Sequence, residues 1–311
     1  MMRALKLLVV YLVLMAATPV LAANLIVNGS FENPTVPSGS YINYLGGSTA
    51  ITGWTVVGVD SSLVSGTFMQ SGITFEAQDG TQWIDLAGVT SNSMTSGVTQ
   101  NIPTTIGQSY VVTFYVGSTT DNSIFFPATV DLSINGGARV HYTNPNPGTG
   151  MLNWELFTVN FTATSGTTNL AFLNGDASNN YETPLDNVSV NADTDGDGIP
   201  DTVDNCPFTA NPDQKDSGGV GTGSPPDGIG DACQCGDVNN DGVVTSTDTG
   251  VFGRAIVGLS PYFTVPAMPG ILKCDVNGDG LCNSTDRVII NRALVGLAPG
   301  IQQKCTAAIP H

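Results

Sequence analysis

Residues 24–191 are patterned as short β-strands. Runs such as "SYVVTFYVGS" (109–118) and "LFTVNFTAT" (156–164) alternate or cluster β-branched and aromatic residues, and turn-forming residues separate them. No stretch of this region keeps the period of an amphipathic helix. The pattern therefore predicts an all-β domain of the sandwich type, which is long enough to bury a core of its own.

The pattern changes at Asp193, where oxygen-bearing side chains begin to recur at fixed spacing. Three stretches carry them at places one, three, five, nine and twelve, with glycine at place six: "DTDGDGIPDTVD", "DVNNDGVVTSTD" and "DVNGDGLCNSTD". A calcium loop needs this spacing and also a backbone carbonyl at place seven. One such match could be a solvated acidic turn, but three matches favour calcium. The candidate ligands are Asp193, Asp195, Asp197, Ile199, Asp201 and Asp204; Asp237, Asn239, Asp241, Val243, Thr245 and Asp248; and Asp275, Asn277, Asp279, Leu281, Asn283 and Asp286.

A short amphipathic segment follows the second and the third acidic stretch. Aligning Asp237 with Asp275 brings Ala255 onto Ala293 and one "VGL" onto another. Prolines and glycines precede both stretches and argue against an entering helix. The repeat therefore predicts two loop–helix units rather than two full helix–loop–helix hands.

The chain begins like a secretory signal peptide. Arg3 and Lys6 precede the apolar run "LLVVYLVLMAA", and small residues follow it. We expect residues 1–23 to be a signal peptide, cleaved after Ala22 or Ala23. An uncleaved anchor is the alternative, but the run is shorter than the roughly 20 apolar residues of a spanning helix. The mature protein is then expected to be soluble and secreted, extracellular or at the cell surface, without a transmembrane segment.

The negative charge of the chain limits the classes of partner that it is expected to bind. A formal net charge of −17 makes nucleic acid and anionic membrane surfaces poor partners. All 15 acidic residues from Asp193 onward are aspartates. General solubilising charge would mix aspartate with glutamate, whereas short aspartates suit tight calcium loops. Ca²⁺ is therefore the expected cofactor.

All six cysteines lie in the C-terminal third: Cys206, Cys233, Cys235, Cys274, Cys282 and Cys305. An even number in an exported segment with little apolar content predicts disulfides. A zinc site is the rival interpretation, but no CxxC pair and no neighbouring histidine supports it.

Motifs in the β domain carry a family resemblance. "NLIVNGSFE" (24–32), "ITGWTVVG" (51–58) and "LDNVSV" (185–190) follow the order found in galactose-binding-like jelly rolls. That group includes carbohydrate-binding modules appended to xylanases and cellulases, and the exported bacterial domains called choice-of-anchor C. The resemblance spans the whole domain and implies a jelly-roll sandwich that binds polysaccharide. It also implies a structural calcium, with Glu32 and Asp186 at the matching positions.

Residues 192–234 resemble a thrombospondin type 3 repeat. "DTDGDGIPDTVDNCPFTANPDQ" and "DGIGDAC" match that repeat, but "KDSGGVGTGSPP" replaces its acid-rich second half. The resemblance implies a stiff, calcium-dependent spacer in which Cys206 bridges Cys233. The departure leaves open whether a second ion is held by the remaining acids, Asp216, Asp227 and Asp231.

Residues 235–305 resemble a type I dockerin, which implies a cohesin-domain partner. Loop–helix units, and an aspartate at place twelve where an ordinary EF-hand has glutamate, both fit this family. In type I dockerins, places ten and eleven contact the cohesin with help from basic residues. The matching residues are Ser246, Thr247, Arg254, Ser284, Thr285 and Arg292. Serine or threonine there is also a good helix N-cap, which is the alternative interpretation.

The sequence contains no recognisable catalytic motif. Glycoside hydrolysis usually needs two placed carboxylates, and the glutamates of the β domain lie in no such motif. Neither GxSxG nor a phosphate loop occurs. We therefore expect a protein that is not an enzyme, although a role accessory to polysaccharide degradation is compatible with its modules.

Sugar binding would use exposed aromatic rings that stack on a pyranose. Trp83 alternates with Ile84 and Leu86, so it should point away from their side of the sheet. It is the first stacking candidate. Tyr41 and Tyr44, in predicted loops, are further ligand-binding candidates.

These observations predict an exported, non-catalytic calcium-binding protein. Its sandwich would bind polysaccharide or a cell-surface glycan, and its dockerin would attach it to a cohesin-bearing surface or assembly. The alternative is a structural or adhesive protein of the cell envelope or matrix, in which the calcium modules are rigid connectors.

Overall fold

The computed structural model describes residues 24–90, 93–121, 124–176, 182–258, 273–279, 281–297, 301 and 305. The predicted signal peptide (1–23) lies outside the described residues. None of the helices in these ranges combines the length and the apolar character needed to cross a membrane. The strands are β1 (Tyr41–Leu45), β2 (Thr55–Val57), β3 (Asp60–Ser65), β4 (Met69–Gln70), β5 (Ile73–Thr74), β6 (Gln82–Asp85), β7 (Gly97–Pro103), β8 (Ser109–Asp121), β9 (Ile124–Phe126), β10 (Ala128–Ile134), β11 (Val140–Asn144), β12 (Gly148–Thr149), β13 (Asn153–Thr162), β14 (Thr167–Asn174) and β15 (Pro184–Asp193), and the helices are α1 (Ser246–Ile256) and α2 (Ser284–Leu294).

Two sheets face each other across the main core. The eight-stranded sheet has the order β1-β3-β6-β15-β8-β12, with β9 and β13 also paired to β8. The five-stranded sheet has the order β11-β10-β14-β7-β2. The all-β sandwich predicted from the strand pattern is therefore confirmed.

Alternate residues of the facing strands fill this core. Because successive side chains of a strand point to opposite faces, Leu170 and Phe172 of β14 are both buried inside. Phe172 meets Phe114 of β8 edge to face, with ring centroids 5.2 Å apart, and Trp54 at 6.1 Å. Such aromatic pairs add stabilisation beyond the buried area.

A second, smaller apolar cluster lies on the outer face of the eight-stranded sheet. It contains Val64, Phe75, Trp83 and Leu152. The two-stranded β4–β5 hairpin lies beside it, and Phe75 follows this hairpin directly. The outer face is therefore partly covered, and this arrangement positions the cleft described below.

In the described part of the C-terminal region, there is little regular structure beyond the two helices. Three disulfides staple it: Cys206–Cys233, Cys235–Cys305 and Cys274–Cys282. The disulfides predicted from the cysteine count are confirmed, and so is the bridge implied by the repeat. The pairing of the other four cysteines was left open by the sequence.

Helices α1 and α2 occupy equivalent places after their loops and pack against each other. Arg287 Nε in α2 donates to Thr249 O in α1 at 2.9 Å, which joins the two helices directly. The predicted pair of loop–helix units is confirmed.

Candidate functional site

The first acidic loop starts at the last residue of β15. Asp193 is buried, and its Oδ1 accepts hydrogen bonds from the amides of Gly196 (2.8 Å) and Asp197 (3.2 Å), while its Oδ2 accepts from Gly198 (3.1 Å). Asp193, Asp195 and Asp197 each place a carboxylate oxygen within 4.8 Å of the others. The amides thus curl the backbone around a group of converging carboxylates.

Asp195 carries the clearest sign that this group fits a cation. Its Oδ2 is buried and accepts no hydrogen bond within the described residues. Burial, together with the neighbouring charge of Asp197, raises the pKa of Asp195 to about 6. A buried carboxylate oxygen without a partner is costly, and a bound cation would remove that cost. The other two acids of this loop bond groups near its two ends. Asp201 accepts from the amide and the hydroxyl of Thr194, and Asp204 accepts from the Cys206 amide.

The second loop has the same internal bonding. Asp237 is buried and accepts from the amides of Asp241 and Gly242, both at 3.1 Å. Asp248 is buried at the other end and accepts from the Thr245 amide at 2.7 Å. Oxygens of Asp237, Asp241 and Asp248 lie within 4.8 Å of one another.

The third loop repeats this bonding in the part that the structure describes. Asp275 Oδ1 accepts from the Asp279 amide at 3.1 Å, and Asp286 Oδ2 accepts from the Asn283 amide at 2.9 Å. Asp286 Oδ1 is buried and accepts no hydrogen bond within the described residues. Gly280, the sixth residue of this loop, lies outside the described residues. The orphaned oxygen at place twelve again fits a cation.

A further contact recurs in all three loops, where the residue at place seven donates its amide to the aspartate at place five. These bonds are Ile199 to Asp197 (2.9 Å), Val243 to Asp241 (3.1 Å) and Leu281 to Asp279 (2.9 Å). In both dockerin loops the asparagine at place three, Asn239 or Asn277, donates to that same aspartate. The donor sets contain only oxygen, which is the ligand type that calcium takes.

The N-caps of α1 and α2 are the residues at place nine. Thr245 Oγ1 accepts from the Thr247 amide (3.1 Å), and Asn283 Oδ1 accepts from the Thr285 amide (2.7 Å). Each cap forms a capping box with the aspartate at place twelve. The alternative interpretation, in which the residues at places ten and eleven cap the helices, is therefore wrong. All six predicted partner-binding residues are exposed: Ser246, Thr247, Arg254, Ser284, Thr285 and Arg292.

Glu32 and Asp186 hold one loop of the sandwich from two sides. Asp186 is buried, and burial raises its pKa to about 8. Backbone amides within residues 78–82 donate hydrogen bonds to the carboxylates of Glu32 and Asp186. The loop is therefore held by hydrogen bonds between protein groups. The structural calcium at these two residues stays a prediction. The four bonds are Gln78 and Asp79 to Asp186 Oδ2 (2.9 and 3.0 Å) and Thr81 and Gln82 to Glu32 Oε1 (2.8 and 3.0 Å).

A cleft of about 270 Å³ opens between the outer face of the eight-stranded sheet and the β4–β5 hairpin. Two rows of side chains run across this face of the sheet, because the registers of β1, β3 and β6 align them, and every member except Asn43 lines the cleft. The apolar row is Tyr41, Val64 and Trp83, and the neighbouring polar row is Asn43, Ser62 and Asp85. Phe68, Gln70 and Glu182 also line the cleft.

Trp83 lies on the predicted face of its strand but is not an exposed platform. Ile84 and Leu86 point into the main core, and Trp83 points into the outer cluster. Its exposure is 0 %, and its Nε1 donates to Phe75 O at 2.9 Å. The prediction that Trp83 stacks on a sugar as an exposed ring is therefore wrong, because neighbouring residues of the outer cluster cover it.

Tyr41 and Tyr44 both lie in β1 rather than in loops, and they point to opposite faces. Tyr41 is 45 % exposed, lines the cleft and meets Phe68 edge to face at 5.6 Å. Tyr44 packs against the main core. Tyr41 therefore remains a ligand-binding candidate. Tyr44 is half-buried and lies outside the cleft, and its role in ligand binding stays a prediction.

Sequence reasoning missed Asp85 as a cleft residue. Asp85 Oδ1 accepts from the amides of Ala87 and Thr183, both at 2.9 Å. Burial, with a contribution from the charge of Glu182, raises the pKa of Asp85 to about 8. Its carboxyl group is therefore mostly protonated at pH 7 and can donate a hydrogen bond. The alternation of Trp83 with Asp85 in "QWID" was the available signal.

Family models match three consecutive parts of the chain. The model described as "Protein of unknown function (DUF642)" matches residues 24–191, the thrombospondin type 3 repeat matches 189–214, and the dockerin type I domain matches 235–295. The predicted repeat and the predicted dockerin are thereby confirmed. The repeat match ends directly before "KDSGGVGTGSPP", where the sequence departs from the repeat.

Similarity to individual proteins is concentrated in about half of the chain. Halomucin from Haloquadratum walsbyi (strain DSM 16790 / HBSQ001) is 32 % identical over 171 residues, which are 54 % of this chain. The chain spans only 2 % of the length of halomucin.

Solved structures similar to this chain include carbohydrate-binding modules. One reported as "CBM4 structure and function" has 19 % identity and a TM-score of 0.30, with 54 % of this chain and 99 % of that chain covered. The CBM22-1 xylan-binding domain from Paenibacillus barcinonensis has 14 % identity and a TM-score of 0.30, with coverages of 50 % and 97 %. An exo-β-1,3-galactanase from Phanerochaete chrysosporium has 23 % identity and a TM-score of 0.29, with coverages of 50 % and 30 %.

The first of the three family models covers the entire sandwich, from the first described residue to the strand that leads into the acidic loops. This match takes in more than half of the chain. The protein therefore belongs to the DUF642 family, whose members are described as proteins of unknown function.

Proposed function

We propose that this protein is an exported, non-catalytic adaptor that works outside the cell. Its sandwich binds a polysaccharide or cell-surface glycan in the outer cleft, and its C-terminal dockerin docks to a cohesin-bearing surface or assembly. Calcium in the three acidic loops orders the spacer and the dockerin. The family match to a dockerin and the three disulfides support this location and this mode of attachment.

The observation that carries the docking proposal is an exposed set of residues that occurs twice. Ser246, Thr247 and Arg254 on α1 correspond to Ser284, Thr285 and Arg292 on α2, and all six are exposed. Since Thr245 and Asn283 already cap the helices, capping does not explain the repeated dipeptide. Either half of the dockerin can then present nearly the same surface to a cohesin.

Docking is tested by substituting the two dipeptides separately and together. Replacing Ser246 and Thr247 by glutamate should weaken binding to a cognate cohesin only modestly, and so should the same change at Ser284 and Thr285. Replacing all four should remove most of the affinity, because no intact copy remains. Calcium loading is measured in each variant as the control. Loss of binding in one double variant with normal calcium loading would contradict symmetric docking.

The proposal of sugar binding rests on the chemistry of the cleft. A pyranose ring has an apolar face of C–H groups and a rim of hydroxyls, so it needs an aromatic surface beside polar groups. Tyr41 and Phe68 offer the first, and Ser62, Gln70 and Asp85 offer the second. A volume of about 270 Å³ is close to the lower end of the range for small-molecule sites.

Sugar binding is tested with a glycan array on the full chain, followed by titration of the best ligand. Tyr41→Ala should weaken binding at least about tenfold, as expected when a central aromatic contact is lost. Leu45→Ala is the matched control, because Leu45 lies on the same strand and is exposed but does not line the cleft. An array without any bound glycan, or equal effects of the two substitutions, would contradict the proposal.

The alternative function is that of a structural or adhesive connector. A specific observation favours it: the spacer and the dockerin share one apolar cluster, which contains Cys206 and Ile229 from the spacer and Phe252 and Ile290 from the dockerin. A rigid joint suits a connector. Failure of every cohesin from the source organism to bind the wild-type chain would favour this alternative.

A further inference from the structure

The spacer segment that departs from the repeat contacts the first dockerin loop. Within residues 215–231, Val220 forms a parallel β-bridge with Val244. Val244 N donates to Gly219 O at 3.1 Å, and Gly221 N donates to Val244 O at 2.8 Å. Val244 is the eighth residue of the loop, directly after the carbonyl expected to bind the ion. The bridge therefore fixes the loop backbone beside the ion site.

A buried lysine joins the same two parts of the chain. Lys273 is 9 % exposed, and its Nζ donates to Asp231 O (2.6 Å), Asn240 Oδ1 (2.8 Å) and Asp237 Oδ2 (3.0 Å). These acceptors satisfy the three donors of the ammonium group. Because a buried charge that loses a partner is costly, the lysine is held firmly between the end of the spacer and the first residue of the loop.

Asp231 closes the spacer segment onto the loop with its side chain. Its carboxylate accepts from Lys215 Nζ (2.7 Å), from the Ser217 amide (2.6 Å) and from the Ser217 hydroxyl (2.7 Å). It also lies against the glycine at place six, because a Cβ added to Gly242 would be 2.5 Å from Asp231 Oδ2. Asp231 therefore links the two ends of residues 215–231 and packs against the first dockerin loop.

One apolar cluster runs through this contact. Val220 and Ile229 from the spacer pack with Val238, Val244 and Phe252 from the dockerin. The first loop is thus supported by backbone bonds, a buried ion pair and apolar packing together.

The second dockerin loop is supported by different groups. In the repeat that aligns Asp237 with Asp275, the equivalents of Lys273 and Val244 are Cys235 and Cys282, and both of these cysteines are in disulfides. Among the described residues, the Val220–Val244 bridge is the one isolated bridge that reaches a dockerin loop. Place one also differs, since Asp237 is fully buried and Asp275 is half-buried.

We propose that residues 215–231 and Lys273 form a brace that keeps the first dockerin loop and α1 folded when calcium is withdrawn, while the second loop and α2 lose structure first. Without an ion, the converging carboxylates of a loop repel one another. The Lys273 ammonium offsets this repulsion in the first loop, and the bridge removes backbone freedom that the unfolded loop would gain. This order of unfolding goes beyond docking and uses the proposed calcium binding only to define the starting state.

The brace is tested by hydrogen exchange and mass spectrometry on the full chain, with its disulfides intact, in calcium and in EGTA. In EGTA, amides of 237–256 should exchange at least about tenfold more slowly than those of 275–294. Lys273→Met should remove most of this difference. Lys215→Met is a graded comparison within the brace: it removes an exposed lysine that bonds the Asp231 side chain rather than the loop, and it should have a smaller effect.

Each outcome decides the proposal. If Lys273→Met does not reach the wild-type circular dichroism in calcium, Val220→Ser provides the same test from the apolar side of the brace. Equal exchange of the two loops in wild-type protein in EGTA would overturn the brace. Protection of α1 that neither Lys273→Met nor Val220→Ser changes would also overturn it. Failure of calcium binding would look different, because EGTA would then alter the exchange of neither loop while the difference between them persisted.

Discussion

The sandwich and the C-terminal region reach stability by different means. Among the described residues, the main cluster of the sandwich contains 24 buried apolar residues and no cysteine, whereas the C-terminal cluster contains ten, of which four are disulfide-bonded cysteines. Burial of apolar area therefore suffices for the sandwich. The C-terminal region needs covalent links and, in our proposal, calcium, which is typical of segments with too little core.

Removing calcium and reducing the disulfides together should unfold the C-terminal region and leave the sandwich folded. In EGTA with a reductant, residues 193–311 should lose helix signal and become protease-sensitive, since each disulfide contributes about 2–4 kcal/mol and the unpaired carboxylates repel. The sandwich should resist digestion with its β signal unchanged. Circular dichroism and limited proteolysis measure both. A C-terminal region that stays resistant under these conditions would contradict the comparison.

A large core substitution in each region should sharpen the same contrast. Phe172→Ala should lower the free energy of unfolding of the sandwich by about 3–5 kcal/mol, because it leaves a cavity between the sheets, and calcium should not restore the loss. Phe252→Ala should destabilise the C-terminal region, and excess calcium should restore much of the loss by mass action. Calorimetry with and without calcium checks both. Equal calcium effects on the two variants would show that the regions are not independent.

The stability of the sandwich should also depend on pH through Asp85. Its pKa is about 8 in the folded state and near 3.8 when exposed, so the folded protein holds a proton that the unfolded chain releases. The free energy of unfolding should therefore fall as pH rises from about 4 to about 8, by up to about 1.4 kcal/mol per pH unit from this group.

Asp85→Asn should remove this part of the slope, because asparagine does not titrate. Urea unfolding at pH 5, 6 and 7 in calcium measures the slope in both proteins. Other buried acids such as Asp186 keep a slope in the variant, so the comparison is between two slopes. Parallel slopes would mean that Asp85 is ionised in the folded protein.

The sequence predicted best where function imposes a local spacing. The three acidic loops and the two helices after them depend on residues near one another in the chain or on a repeat, and they could be predicted without tertiary information. The Cys206–Cys233 bridge was implied by the resemblance to a thrombospondin type 3 repeat. The strand pattern likewise predicted the sandwich, because alternation directly reports one buried face.

The features that the sequence missed depend on contacts between distant segments. Trp83 was placed on the correct face, but nothing local showed that the outer cluster covers that face. The cleft row of Ser62 and Asp85 requires the register of β3 against β6. Lys273 reaches a loop that lies 36 residues away along the chain, so its role follows only from the folded contacts.

The smallest expected effect concerns the helix caps, since the helices of the described residues both lie in the C-terminal region. Thr245→Ala removes the side-chain acceptor of the Thr247 amide and should cost about 1 kcal/mol of the stability of α1. Ser246→Ala is the matched control and should change little, because Ser246 is exposed and the cap lies one residue earlier. Since Thr245 is also at place nine of the loop, the comparison is made in calcium and in EGTA. A cap effect is the same in both conditions, whereas a loss of a calcium ligand appears only with calcium.

Thermal unfolding followed by helix signal measures both variants, and a larger loss for Ser246→Ala would contradict the cap assignment. The sandwich transition, which contains no helix among the described residues, should not move in either variant.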